Sequence, residues 1–237
     1  SPDGLIITNH HCVLGALQYN SKPGDDLLKN GYLARDRASE KWIGPTGRVF
    51  VTQSFKDVTG QVRAGLGDLP SDQQRWRTIE QREKALVAGC EKGRPGVRCE
   101  TRSFFGGAQY VLIERLAIKD VRLVYAPASG IGDFGGEVDN WRWPRHSGDF
   151  AFYRAYVGKD GKPAEHAADN VPYKPKQFLK VASRPLRTGS LVFVAGYPWR
   201  TYRLETAEEL HEAVDWLYPR RLQLCNDYIA VMEKVGK

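Results

Sequence analysis

Apolar positions in this chain fall into short runs more often than into long periodic stripes. Leu5-Ile6-Ile7 leads into the polar group Thr8-Asn9-His10-His11, and Ser1-Pro2-Asp3-Gly4 before it has the composition of a tight turn. Residues 49–58, 110–118, 121–125, 150–157 and 191–195 are rich in β-branched and aromatic side chains and are predicted as strands. The second and third of these, joined by Lys119-Asp120, predict a β-hairpin. Helical spacing is confined to two places. Residues 71–89 pair Ser71 with Gln74 as a capping box, place Trp76, Ile79, Leu86 and Val87 on one stripe, and end at Gly89. Residues 206–217 open with a second box, Thr206 with Glu209, and carry Leu210, Ala213, Val214 and Leu217 at helical spacing. Pro219 is expected to kink or break that helix, after which Leu222, Cys225, Ile229 and Met232 stay in register. Residues 13–47 are polar and punctuated, and predict loop with short helical turns.

Composition narrows the classes. The net charge of +7 comes from 35 basic residues scattered among 28 acidic ones, with no dense basic tract, so no nucleic-acid partner is expected. No run approaches the roughly 18 to 20 apolar residues of a membrane span, and no membrane-spanning helix is expected. The chain is also expected to be a piece of a longer protein, since no leader precedes Leu5 and the last helix is given nothing to pack against. Cys90 and Cys99 bracket a polar, Gly/Pro-rich loop of a size that a disulfide closes, which suggests an oxidising compartment. Cys225, on an apolar stripe, is expected as a buried thiol.

Two stretches carry chemistry. His11 stands where a buried-looking strand ends, a place where an imidazole serves as a general base; the competing readings are a structural histidine and a zinc site from His10, His11, Cys12 and His146. Residues 135–150 pack two tryptophans, a proline, a histidine and three carboxylates into a loop before a strand, a density that favours a binding site over a plain connector. Asp149 at its end is the candidate partner for His11: a base followed later in the chain by a carboxylate that accepts from Nδ1–H is the order a serine peptidase uses. His166 and His211 lie in polar surroundings and carry no signal.

Thr8-Asn9-His10-His11-Cys12, together with Asp139-Asn140-Trp141-Arg142-Trp143-Pro144-Arg145-His146-Ser147-Gly148-Asp149-Phe150, resembles serine peptidase family 46, the bacterial dipeptidyl-peptidases 7 and 11. The resemblance extends into Val192-Phe193-Val194-Ala195-Gly196-Tyr197-Pro198 and Tyr218-Pro219-Arg220-Arg221. It implies a mainly β, chymotrypsin-like double β-barrel interrupted by a helical domain. Residues 1–204 would be an incomplete peptidase domain and 205–237 the start of the helical cap. It also implies that His11 is the base, that Asp149 orients it, and that Asn140 and Trp141 hold the free α-amino group of an oligopeptide substrate. An ammonium offers only donors, which an amide oxygen and an aromatic face satisfy. A free N-terminus anchored near the nucleophile sets release of dipeptides.

Arg142, Ser147 and Trp199 depart from the family pattern, where an uncharged residue, Thr and Gly are usual. No Gly-Asp-Ser-Gly type of turn is present, so the nucleophilic serine is expected outside this chain, and the piece alone is expected to be inactive. Cys12 is expected to have a disulfide partner upstream. The family implies no cofactor and no metal, a homodimer, and a periplasmic or secreted location. The residue preferred at the cleavage site is set by the second barrel. A reading from another class keeps the fold as a non-catalytic peptide-binding module, with Trp141 and Trp143 as an aromatic clamp.

Overall fold

A computed structural model describes residues 1–139, 142–193 and 204–236. It divides into two compact units, Ser1–Val181 and Ala182–Lys237.

The first unit is built from antiparallel sheets with helices on their flanks. Strand β1 (Leu5–Thr8) runs into a 3-10 turn (His10–Val13) and helix α1 (Leu14–Asn20), followed by the short α2 (Leu27–Asn30), β2 (Tyr32–Leu33) and β3 (Lys41–Trp42). The longer elements β4 (Val49–Asp57), α3 (Thr59–Arg63), α4 (Asp72–Glu91), β5 (Val97–Phe104), β6 (Gln109–Ile118) and β7 (Asp120–Ala126) come next. The single turns α5 (Ser129–Gly132) and α6 (Gly136–Asp139) precede β8 (Ala151–Val157) and β9 (Val171–Pro172).

One sheet has the order β1-β8-β7-β2, with β3 also on β7 and β9 on β8; the other has the order β4-β6-β5. The predicted hairpin of residues 110–125 is therefore not formed: β6 and β7 lie in different sheets. Lys119 alone separates them, too little chain for a hairpin turn, so the backbone bends there and carries the chain from one sheet to the other. Ile118 and Val121, either side of the bend, are both fully buried. They join Val13, Leu17, Leu123, Ala151 and Val157 in the main core. Gly4 adopts φ +68° beside β8, where a Cβ would stand 2.7 Å from the Ala155 carbonyl oxygen, so the turn that feeds β1 requires glycine.

Helix α4 begins with the Ser71 half of the predicted box: Ser71 Oγ accepts from the Gln74 N–H (3.3 Å). Ile79 and Leu86 pack on a second, smaller core of Val58, Val62 and Tyr110, whereas Trp76 from the same predicted stripe is exposed. Cys90 at the end of α4 and Cys99 on β5 are bridged, with S–S 2.01 Å. In the chain-entropy account a bridge around so short a loop contributes about 2–3 kcal/mol.

Buried ion pairs tie the first sheet together. Asp120 is wholly buried and accepts from Arg122 Nε (3.0 Å) and Nη2 (2.7 Å), from Asn170 Nδ2 (2.9 Å), and lies 2.9 Å from His166 Nδ1. The His166 ring stacks on Trp42 at 4.8 Å, so this histidine, silent in the sequence, is a structural member of the core's edge. A second group centres on buried Glu40, which accepts from Arg154 Nε and the Tyr156 hydroxyl, each at 2.8 Å. Burial, with that hydrogen bond second, pushes the Tyr156 hydroxyl up to about 12.

In the second unit, Leu191, Val192 and Phe193 take no regular structure, and residues 194 and 195 of that predicted strand lie outside the described residues. Helix α7 (Ala207–Glu212) starts with the predicted box: Thr206 Oγ1 accepts from Glu209 N, and the Glu209 carboxylate accepts from Thr206 N. Helical structure continues through a π-turn (Ala213–Leu217) into α8 (Tyr218–Val235). Pro219, in the first turn of α8, has no N–H to offer the carbonyl four residues back, and the helix widens there instead of breaking. Cys225 is exposed, contrary to the expected buried thiol, because the α8 face it shares with Leu222, Ile229 and Met232 is uncovered. Among the described residues no helix is long and apolar enough to cross a membrane.

Candidate active site

Strand β1 ends at Thr8, and the next residues coil into the 3-10 turn that carries His10, His11 and Cys12. β1 pairs antiparallel with β8, from Leu5 opposite Arg154 to Thr8 opposite Ala151. That register brings Asn9 and His11, just past the end of β1, to Asp149, just before the start of β8. Residues far apart in sequence thus meet because one ladder stops where both of them begin.

His11 Nδ1 lies 2.9 Å from Asp149 Oδ2, and the His11 backbone N–H donates to Oδ1 at 3.2 Å. The Asn9 amide donates to the Asp149 carbonyl oxygen (3.1 Å) and to Oδ2 (3.3 Å). Burial pushes the Asp149 carboxyl up, but the His11 backbone N–H and the His11 ring outweigh it and hold the group below its ordinary 3.8. The carboxylate is thus an anion at neutral pH. It accepts the Nδ1 proton of His11, which leaves Nε2 as the nitrogen able to take a proton from a nucleophile. The His11 side chain is 66% exposed, against 28% for Asp149, so the ring is open to solvent and its carboxylate partner is sheltered.

The loop ahead of Asp149 is closed at its base. Gly148 N donates to the Ile131 carbonyl (2.8 Å), and inside this neck Ser147 Oγ donates to the Phe134 carbonyl (3.1 Å) while Phe134 and His146 meet edge to face. On the other side Gly132 sits on the ring of His10, which is 2% exposed. A Cβ on Gly132 would lie 2.3 Å from His10 Cγ and 2.4 Å from Nδ1. Gly132→Ala is therefore expected to destabilise the protein by about 1–3 kcal/mol through overpacking. A shift of the denaturant midpoint measures it, and an unchanged midpoint would mean that the His10 ring moves freely.

Of the residues the sequence singles out, His11 and Asp149 come together, and Cys90 and Cys99 are bonded. Asn140 and Trp141 lie outside the described residues, as do residues 194–198 of the resemblance. Trp143 is 90% exposed. Cys12 is a free, exposed thiol in this structure. Among the described residues no group of three or more His, Cys, Asp or Glu is placed to hold a metal ion, and His10, of the zinc reading, is instead packed under Gly132. Sequence reasoning passed over Asn9, although its place between a strand end and two histidines puts an amide where the chain turns.

Known proteins resemble this chain over most of its length. The chain is 49% identical over 235 residues to an Asp/Glu-specific dipeptidyl-peptidase of Shewanella putrefaciens, a match over 98% of this chain and 32% of that protein. It is 37% identical over 223 residues to dipeptidyl-peptidase 7 of Capnocytophaga gingivalis, covering 92% of this chain and 30% of the relative. Among solved structures, Porphyromonas endodontalis DPP11 in an alternate conformation superimposes with a TM-score of 0.79 at 36% identity, over 98% of this chain and 35% of that one. The same enzyme in complex with the dipeptide Arg-Glu gives 0.70 at 37% identity, over 79% and 27%. The chain thus spans about a third of the length of the curated relatives it matches. The profile of peptidase S46 matches residues 1–237, and the chain belongs to that family.

Proposed function

We propose that this chain is the base-bearing part of a serine dipeptidyl aminopeptidase that releases dipeptides from the free N-terminus of oligopeptides. The observation that carries the reading is the 2.9 Å contact between His11 Nδ1 and Asp149 Oδ2 in a chain of a peptidase family. A serine hydroxyl from outside this chain attacks the scissile carbonyl, and its proton passes to His11 Nε2. Asp149 stabilises the imidazolium, which then protonates the leaving amine; water repeats the sequence to free the dipeptide. The sheets described above belong, in this reading, to a chymotrypsin-like double barrel whose second half holds the serine. Asn140 and Trp141 hold the substrate's α-ammonium and so set the two-residue register.

The relatives named Asp/Glu-specific, one at 49% identity, favour an acidic residue at the cleavage site. The Cys90–Cys99 bridge favours a periplasmic or secreted location, and the full-length enzyme is read as a homodimer. The test is a panel of dipeptidyl reporter substrates offered to the full-length protein, with free and blocked N-termini and with Asp, Glu or apolar residues at the second position. Cleavage confined to free amines, fastest after Asp or Glu, is expected. Cleavage of blocked substrates would make the enzyme an endopeptidase, and binding without cleavage by a folded protein would leave a peptide-binding module.

A further inference from the structure

We propose that Asn9 is a positioning residue of this dyad, which locks Asp149 in the orientation that His11 needs. The inference rests on the peptidase reading and adds a third residue to the His11–Asp149 pair.

Asn9 occupies the position before the His10–Val13 turn with an extended backbone, φ −84° and ψ 155°. An asparagine there ordinarily folds its side-chain oxygen back onto an N–H of the turn it precedes. Asn9 makes no such bond. The free N–H of the turn is taken instead by Asp149, whose Oδ1 accepts from His11 N at 3.2 Å. The two side chains have exchanged places: the carboxylate that precedes β8 caps the turn after β1, and the amide that follows β1 holds the residue before β8.

The exchange fixes Asp149 at two levels. Asn9 Nδ2 reaches both the main-chain oxygen of Asp149 and its Oδ2. Both partners are acceptors, so only the nitrogen end of the amide can face them. A single NH2 group thus ties the backbone of Asp149 to its own carboxylate and restricts rotation between them. Oδ2 is also the oxygen that receives His11 Nδ1, so the Asn9 bond decides how that oxygen meets the imidazole. The last backbone pair of the ladder is Thr8 with Ala151, and the Asn9–Asp149 bonds continue it across side chains to the dyad. A carboxylate that keeps this donor shares its charge between imidazole and amide; without the donor it grips the imidazolium alone.

The experiment compares the full-length enzyme with Asn9→Ala, Asn9→Asp and His11→Ala. Asn9→Ala removes the donor, and Asn9→Asp keeps the shape while opposing a second carboxylate to Asp149. Both are expected to lower kcat, Asn9→Ala by about 10- to 100-fold and Asn9→Asp by more, with KM unchanged. In both, the acidic limb of the kcat/KM profile moves to higher pH, a change that a loss of folded enzyme cannot cause. Wild-type kcat with an unmoved limb in Asn9→Ala overturns the proposal, and so does an Asn9→Asp enzyme as active as wild type. Should Asn9→Ala not fold, the isosteric variant decides alone. His11→Ala separates the two readings: if it stays active, the dyad itself is wrong, whereas its inactivity beside an unaffected Asn9→Ala removes only the part given to Asn9.

Discussion

Asp149→Asn in the full-length enzyme is expected to reduce kcat for dipeptide release by about four orders of magnitude, with the thermal midpoint almost unchanged. An amide keeps the shape of the carboxylate and leaves Oδ1 to accept from the His11 N–H, while the Asn9 amide has to turn its oxygen toward the new NH2. What changes is the proton. Asp149 now accepts at 2.9 Å from Nδ1 of His11. An asparagine that presents its NH2 to that nitrogen forces the proton onto Nε2, and the face that should receive the serine proton is occupied. The carboxyl of the native residue is held below its ordinary 3.8, so the wild-type enzyme keeps the anion throughout the neutral range, and raising the pH from 6 to 8 adds nothing through this group. A loss of less than tenfold, measured under saturating substrate, would mean that Asp149 does not orient the base.

The largest effect on stability is expected at Asp120. Asp120→Ala leaves the Arg122 guanidinium, itself 8% exposed and lying 3.9 Å over the Tyr156 ring, without its counter-ion, and removes a partner from His166 and Asn170. Breaking such a pair from one side costs about 3–5 kcal/mol. The double variant Asp120→Ala/Arg122→Met, which removes both charges, should recover a large part of that. The pH dependence has a definite sign. Burial pushes the Asp120 carboxyl up, but the bonds from Arg122, Asn170 and His166 outweigh it and leave the group below 3.8 in the folded protein. Its contribution is complete above that ordinary value and is lost as pH falls through the lower folded-state value. Urea titrations of wild type and Asp120→Ala should therefore differ fully at pH 6 and converge only at pH values below 3.8. A cost under about 1 kcal/mol at pH 6 would show that water reaches Arg122 and replaces the pair.

What the sequence made legible was what is written locally. The capping boxes, the disulfide loop and the two chemical stretches each sit within a few neighbouring residues, and His11 with Asp149 could be paired because their motifs and order are those of a known family. The hairpin failed for a physical reason: Lys119-Asp120 has the length of a two-residue turn, but Asp120 is buried and belongs to β7, which leaves one residue for the connection and bends the chain into another sheet. Asp120, Arg122 and His166 were not legible. Their bonds span up to 50 residues, and nothing in a lone aspartate at a strand start marks it as buried. Gly132 was not legible either, since its lack of a side chain matters only once the His10 ring is seen against it.

The neck between Ile131 and Gly148 couples the loop to the dyad mechanically. Its closing bond ends one residue before Asp149, so that residue is held from the loop side by a backbone bond as well as from the side of the ladder. Replacing residues 133–146 would therefore remove Phe134 and His146, which pack edge to face inside the neck, and is expected to disturb Asp149 as well as the loop.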